Sequence, residues 1–173
     1  MAKKSTSVIK MAINESDDLY STYSTEDNIV LNSEAVSFLE AELKSVKKED
    51  SIKLVIETPN EVSDERKSKC IKSIKSHFKG IVNESKELIK RYLLIALIMF
   101  VATSVLAVTQ VFGQSWNFPQ ILMIFLEILT WVFGWEFIDI LLFMIPVKQY
   151  KTKKYNKIVK AKFDFVVKNK TEK

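Results

Sequence analysis

The chain has 173 residues but one cysteine, one histidine, three glycines and three prolines. A single cysteine, Cys70, permits no internal disulfide and fits a reducing cytosol for the soluble parts. A lone His77 beside a lone Cys70 cannot make a closed metal site. Seven residues apart on a helix they would stand ~10 Å apart along the axis, too far for a Cys–His pair. Walker loop, GxGxxG, HExxH and nucleophile elbow are all missing. These scarcities predict a protein that is not an enzyme, with no cofactor and no metal. The start, MAKKSTSVIKMAINESDD, lacks a long apolar core and a small-residue cleavage site, so a signal peptide is not expected there.

Charge is also missing, but only locally. From Tyr92 to Leu126 there is no charged residue. Tyr92 to Phe112 alone supplies enough length for ~30 Å of hydrocarbon. GQSWNFP, Gly113 to Pro119, reads as a turn, and residues 121–145 as a second span. The basic flanks are Lys86, Lys90 and Arg91 before the first span and Lys148, Lys151, Lys153, Lys154 and Lys157 after the second. The connecting turn carries no charge. The positive-inside rule then predicts a two-pass protein of the plasma (inner) membrane with both termini cytosolic. From Lys148 onward there are ten lysines against Asp164 and Glu172, whereas Met1 to Arg91 is balanced. Such a run attracts anionic headgroups at ~1 kcal/mol per basic residue. With arginine scarce and the bilayer adjacent, nucleic acid is a poor second choice of partner.

The remainder reads as a small α/β domain. Strand signals lie near 4–13, 51–58 and 158–168, the last from Val159, Ala161, Phe163, Phe165 and Val167 alternating with mostly polar residues. Asn14 to Asn28 reads as a loop with Leu19, Tyr20 and Tyr23 packed beneath it. Asn32 or Ser33 caps a helix over about 34–47, with Val36, Leu39, Leu43 and Val46 at helical spacing. Strand, helix and strand resemble a βαβ unit, whose crossover would be right-handed. Asn60 or Ser63 caps a longer helix that carries Ile71, Ile74, Phe78 and Ile81 and continues into the first span. A lone tail strand would be unstable, so it is expected in the same sheet as the other two. The expected fold is therefore an α+β membrane protein: a transmembrane helical hairpin inserted into a cytosolic α/β domain. By residue range this gives a cytosolic domain at 1–87, the hairpin at 88–147 and a basic tail at 148–173.

Three carboxylates stand in the second span: Glu127, Glu136 and Asp139. An ionisable side chain in hydrocarbon costs ~2.5–3.5 kcal/mol on insertion scales and is kept where it faces protein or water. Glu136 and Asp139, three apart, share a face, while Glu127 lies about half a turn away. Folding the hairpin tightly about its turn sets Asp139 near Leu94, Glu136 near Leu97 and Glu127 near Leu106. Asp139 could then reach Arg91 or Lys90, and Glu127 would lie within a turn of Thr103 and Ser104. Ala96, Thr103, Ala107 and Gln110 form a small or polar stripe suited to helix packing, and Gly134, between the tryptophans of W-V-F-G-W, is a further packing position. Trp131 and Trp135 are expected to pack against a helix.

This order of elements, with His77-Phe78 on the helix, a charge-free span, W-V-F-G-W-E and a Lys-rich closing strand, resembles a loosely defined group of uncharacterised bacterial two-span membrane proteins. The resemblance implies the cytosolic-domain topology and assigns no site residues. The function expected from the residues is a non-enzymatic oligomer, an ion-conducting or membrane-effector subunit gated through its cytosolic domain. The alternative is a scaffold or accessory subunit of a larger membrane complex. The expected partners are lipid, further copies of the chain, or another membrane protein.

Overall fold

A computed structural model describes residues 5–13, 19–25, 29–47 and 50–168. The chain is mostly helical, with one small parallel sheet. The elements in order are β1 (Thr6–Ala12), α1 (Ser33–Ser45), β2 (Ser51–Thr58), α2 (Asp64–Ser115), α3 (Gln120–Asp139), α4 (Ile145–Val159) and β3 (Lys162–Val167). A π-helical turn, Ile140–Met144, joins α3 to α4. Two compact units result, Met1–Asn83 with Thr152–Lys173, and Glu84–Lys151. Helix α2 contributes residues to both.

In the first unit the strand order is β1-β2-β3, all parallel. The tail strand joins the sheet beside β2, with Leu54 opposite Phe163 and Ile56 opposite Phe165. Strand alternation sends Ile9, Met11, Ile52, Leu54 and Ile56 to one face. That face packs on Leu39 and Leu43 of α1, on Cys70, Ile74 and Phe78 of α2, and on Ile158 of α4. The other face is more open and carries Val8 and Val166 together with a Lys53–Asp164 ion pair at 2.6 Å. Exposed on both sides, that pair contributes at most about 1 kcal/mol.

Local chemistry sets the ends of the helices. The Asn32 side chain accepts from the Glu34 amide at 3.1 Å, and Val46 ends α1. At the start of α2 the Ser63 side chain accepts from Arg66 N–H, and its carbonyl accepts from Lys67 N–H. Beyond Ser115 the chain reverses through a Schellman arrangement. Phe118 N–H donates to Gly113 O at 3.0 Å and Asn117 N–H to Gln114 O at 3.4 Å, with Asn117 at φ 52°. Asparagine tolerates that left-handed conformation better than most residues. Gly113 is needed because a Cβ there would lie 2.8 Å from the Phe118 ring and 3.0 Å from Met123 Sδ.

Three expectations need correction. The tail is not a strand from residue 158, because α4 runs to Val159 and β3 begins at Lys162. Thr152, Tyr155 and Ile158 recur at three-residue spacing, Thr152 and Ile158 are buried, and Tyr155 packs on the core, so helical burial overrides the alternation at this end. The second apolar helix runs on past residue 145, the expected limit of the second span. Pro146 lacks the amide for Leu142 O and crowds that carbonyl; the π turn, with Ile145 N–H bonded to Ile140 O, carries the helix past it. Tyr23 is not packed beneath its loop but exposed, whereas Leu19 is buried. Residues 14–18 and 26–28 of that loop, and Lys4 of the expected first strand, lie outside the described residues.

Candidate functional site

In the second unit, α2 and α3 meet along a seam with alternating four- and three-residue steps. From α2 come Tyr92, Ala96, Met99, Thr103, Leu106, Gln110 and Gly113, all buried or half-buried. From α3 and the π turn come Met123, Leu126, Thr130, Phe133, Phe137 and Ile140. This is the heptad pattern of closely packed helix pairs. Ala96 and Ile140 share a small core, the Phe100 and Phe137 rings lie 5.3 Å apart, and Gly134 sits against the Thr103 methyl. Gln110 Nε2 donates to Thr130 Oγ1 at 2.6 Å, and Thr130 Oγ1 donates to Leu126 O at 2.8 Å. Both helices are long and apolar enough to cross a membrane.

The seam uses Ala96, Thr103 and Gln110 from the small-residue stripe. Ala107 stands outside it, exposed on one flank. Thr130 is a polar seam residue that the sequence did not single out. Its signal was a hydroxyl at the same heptad phase as Met123 and Phe137.

The carboxylates lie off the seam. Glu127 follows seam residue Leu126, and Glu136 precedes seam residue Phe137, so they project from opposite flanks of the hairpin. Both are exposed, and Asp139 is half-buried. The pairing of Thr103 with Gly134 and Ala96 with Ile140 also shifts the register. Asp139 lies about level with Ile98 rather than Leu94, and Glu127 about level with Gln110 rather than Leu106. The displacement is about one turn, because α2 extends to Ser115 before the chain reverses. Arg91 is then seven residues, ~10 Å of helix rise, from the level of Asp139. Lys90 Nζ is 2.8 Å from Glu87 Oε1, and among the described residues no ion pair joins Asp139 to Lys90 or Arg91. Lys90 holds the Glu87 carboxyl below its usual range.

Trp131 and Trp135 do not pack against a helix. They are 71% and 66% exposed, on the side of α3 turned away from α2. Among the described residues nothing covers this back of the helix.

The five lysines expected to flank the second apolar segment divide. Lys154 and Lys157 point their ammonium groups at the carbonyls of Lys44 (3.3 Å) and Lys47 (2.6 Å), at the C-terminal end of α1. There the ammonium groups sit at the negative end of the α1 dipole, and the Lys47 carbonyl also accepts from Asp50 N–H at 3.2 Å. Lys151 and Lys153 are exposed and Lys148 is half-buried. Tyr155 OH donates to Glu40 at 3.1 Å; burial first, and then this bond, raises its pKa.

Cys70 and His77 share no site. Burial pushes the Cys70 thiol up to about 11. His77 makes an edge contact with the Phe78 ring, and its Nε2 is covered without a hydrogen bond. Among the described residues no cluster of three or more His, Cys, Asp or Glu could hold a metal ion.

Comparison with protein-family models, with curated proteins and with solved structures finds no match to this chain.

Proposed function

We propose that this is a non-enzymatic two-pass protein of the bacterial inner membrane, both termini cytosolic, that works as a homo-oligomer. Glu127 and Glu136 line a cation-permissive, proton-responsive route between its subunits. The cytosolic unit receives the controlling signal, and α2, one helix belonging to both units, carries it. The observation that carries this reading is the exposure of both carboxylates on an otherwise apolar hairpin. At ~2.5–3.5 kcal/mol each, two acids left in lipid would cost more than a hairpin of this size can spare. Contact between copies, with water, removes that cost.

The test is cation flux into liposomes containing the purified protein. The Glu127→Gln, Glu136→Gln double variant is expected to abolish a flux that the wild type supports. Unchanged flux in the double variant, or none in the wild type over a range of pH and potential, would reject the route. A second reading, an accessory subunit of a larger membrane complex, is favoured by the exposed Trp131 and Trp135 on the outer side of α3. It predicts that a defined membrane protein co-purifies and is lost in a Trp131→Ala, Trp135→Ala variant.

A further inference from the structure

Glu127 and Glu136 occupy opposite flanks of the same hairpin, and this limits how copies can meet. The inference rests on the membrane reading above. The flank that bears Glu127 also carries Ala107, Ser104 and Gly134. The flank that bears Glu136 also carries Ala102, Leu129 and Thr109. These assignments follow from the seam, since antiparallel helices place equivalent heptad positions on the same side.

Depth then decides the pairing. Counted from the reversal at Phe118 with a rise of ~1.5 Å per residue, Glu127 and Thr109 both lie ~13–14 Å in. Glu136 lies ~27 Å in, Gly134 ~24 Å and Ser104 ~21 Å, differences that an extended glutamate side chain spans. Thr109 and Ser104 hydroxyls donate to Val105 O and Phe100 O of their own helix, each at 2.8 Å. Those carbonyls are already acceptors of α-helical amides, so a hydroxyl can turn to an incoming carboxylate without stranding a backbone group. Gly134 adds no side chain to its flank, and a Cβ there would make ordinary contact with the Thr103 methyl at 3.5 Å.

We infer that the hairpins assemble head to tail into a closed ring of at least three copies, the Glu127 flank of each lying on the Glu136 flank of the next. Glu127 then meets Thr109 of one neighbour. Glu136 meets Ser104 of the other. A two-fold dimer about the membrane normal would set each flank against its own copy. Glu127 would face Glu127 at equal depth, two like charges in a medium of low dielectric, and Glu136 would stay in lipid. Only the heterologous contact covers both acids in every copy, and such contacts close into rings.

Disulfide cross-linking in native membranes tests this. In a Cys70→Ala background, Ala107→Cys and Leu129→Cys place thiols on opposite flanks, each eleven residues from Phe118 and so at one depth. Oxidation of the double variant is expected to give a ladder of covalent multimers ending at a fixed number of three or more. Each single-cysteine variant is expected to stay monomeric. Covalent dimers from either single variant, or monomer alone from the double variant, would overturn the ring. The wild type in nanodiscs provides a readout without substitutions: mass measurement is expected to give three or more copies, and one or two would refute the proposal. Alkaline carbonate extraction separates the two levels of argument. A chain that resists extraction but forms no ladder defeats the ring and leaves the membrane reading standing. A chain released by carbonate defeats both.

Discussion

The hydrogen bond between Gln110 and Thr130 makes an asymmetric prediction. Its two ends depend on it differently. Thr130 Oγ1 accepts from Gln110 at 2.6 Å and donates to Leu126 O at 2.8 Å. Replacing Gln110 by methionine keeps the volume and leaves the Thr130 hydroxyl bonded to Leu126. The loss is one polar contact between apolar helices, which between membrane-embedded helices averages ~0.6 kcal/mol and reaches at most ~1.7 kcal/mol. Replacing Thr130 by valine removes the same contact and also leaves a half-buried Gln110 amide with no acceptor. An unsatisfied donor adds about 1–3 kcal/mol, so Thr130→Val should cost ~2–4 kcal/mol in all. Leu126 O loses little, since it keeps its helical amide. In the Gln110→Met background the contact is already gone and no amide is stranded, so Thr130→Val should cost little, a coupling of ~2–4 kcal/mol. Reversible unfolding in mixed micelles at rising SDS, followed by the fluorescence of Trp116, Trp131 and Trp135, measures all four corners of this cycle. Equal single effects, a larger effect at Gln110, or simple additivity would refute the reasoning.

Other outcomes follow from the unit that contains the sheet. Phe78 has no exposed surface and packs against Tyr155, so Phe78→Ala should cost ~3–5 kcal/mol. In hydrogen exchange on the intact protein, β2 amides that open only with the unit should exchange about a hundredfold faster or more; under tenfold would contradict the assigned core. Cys70, buried and with its thiol held at about 11, should resist maleimide at neutral pH until the protein unfolds. Equal labelling rates in the folded and unfolded chain would be the contrary result. For Tyr155 the folded pKa is raised, so the neutral hydroxyl is the favoured form. Its contribution is intact below the ordinary tyrosine value of about 10 and is lost as pH rises through the folded value. Tyr155→Phe should therefore weaken the alkaline fall in melting temperature, and an unchanged fall would count against the Glu40 contact.

Much of this organisation was legible residue by residue. SIKLVIET alternates so regularly that β2 matches its sequence limits, Ser51–Thr58. Asn32 and Ser63 mark helix starts because their side chains can accept backbone amides, a strictly local property. The charge-free run from Tyr92 marks the apolar hairpin because composition alone makes a segment lipid-like. The tail was harder. Alternating apolar residues from Val159 suggest a strand, but Ile158 and Ala161 are buried at a helix end, and a period-two pattern cannot show where α4 gives way to β3.

The amino-acid sequence by itself determined that three carboxylates interrupt an apolar segment and that Glu127 and Glu136 lie half a turn apart, because helical periodicity is local. Only the tertiary structure decided what those positions mean. The close reversal at Gly113 and Asn117, and the fit of Thr103 to Gly134, set the hairpin register one turn from the one that simple folding about the turn suggests. That register separates Asp139 from Arg91 and puts Glu127 at the depth of Thr109. Register is a property of two surfaces in contact, and no single helix carries it.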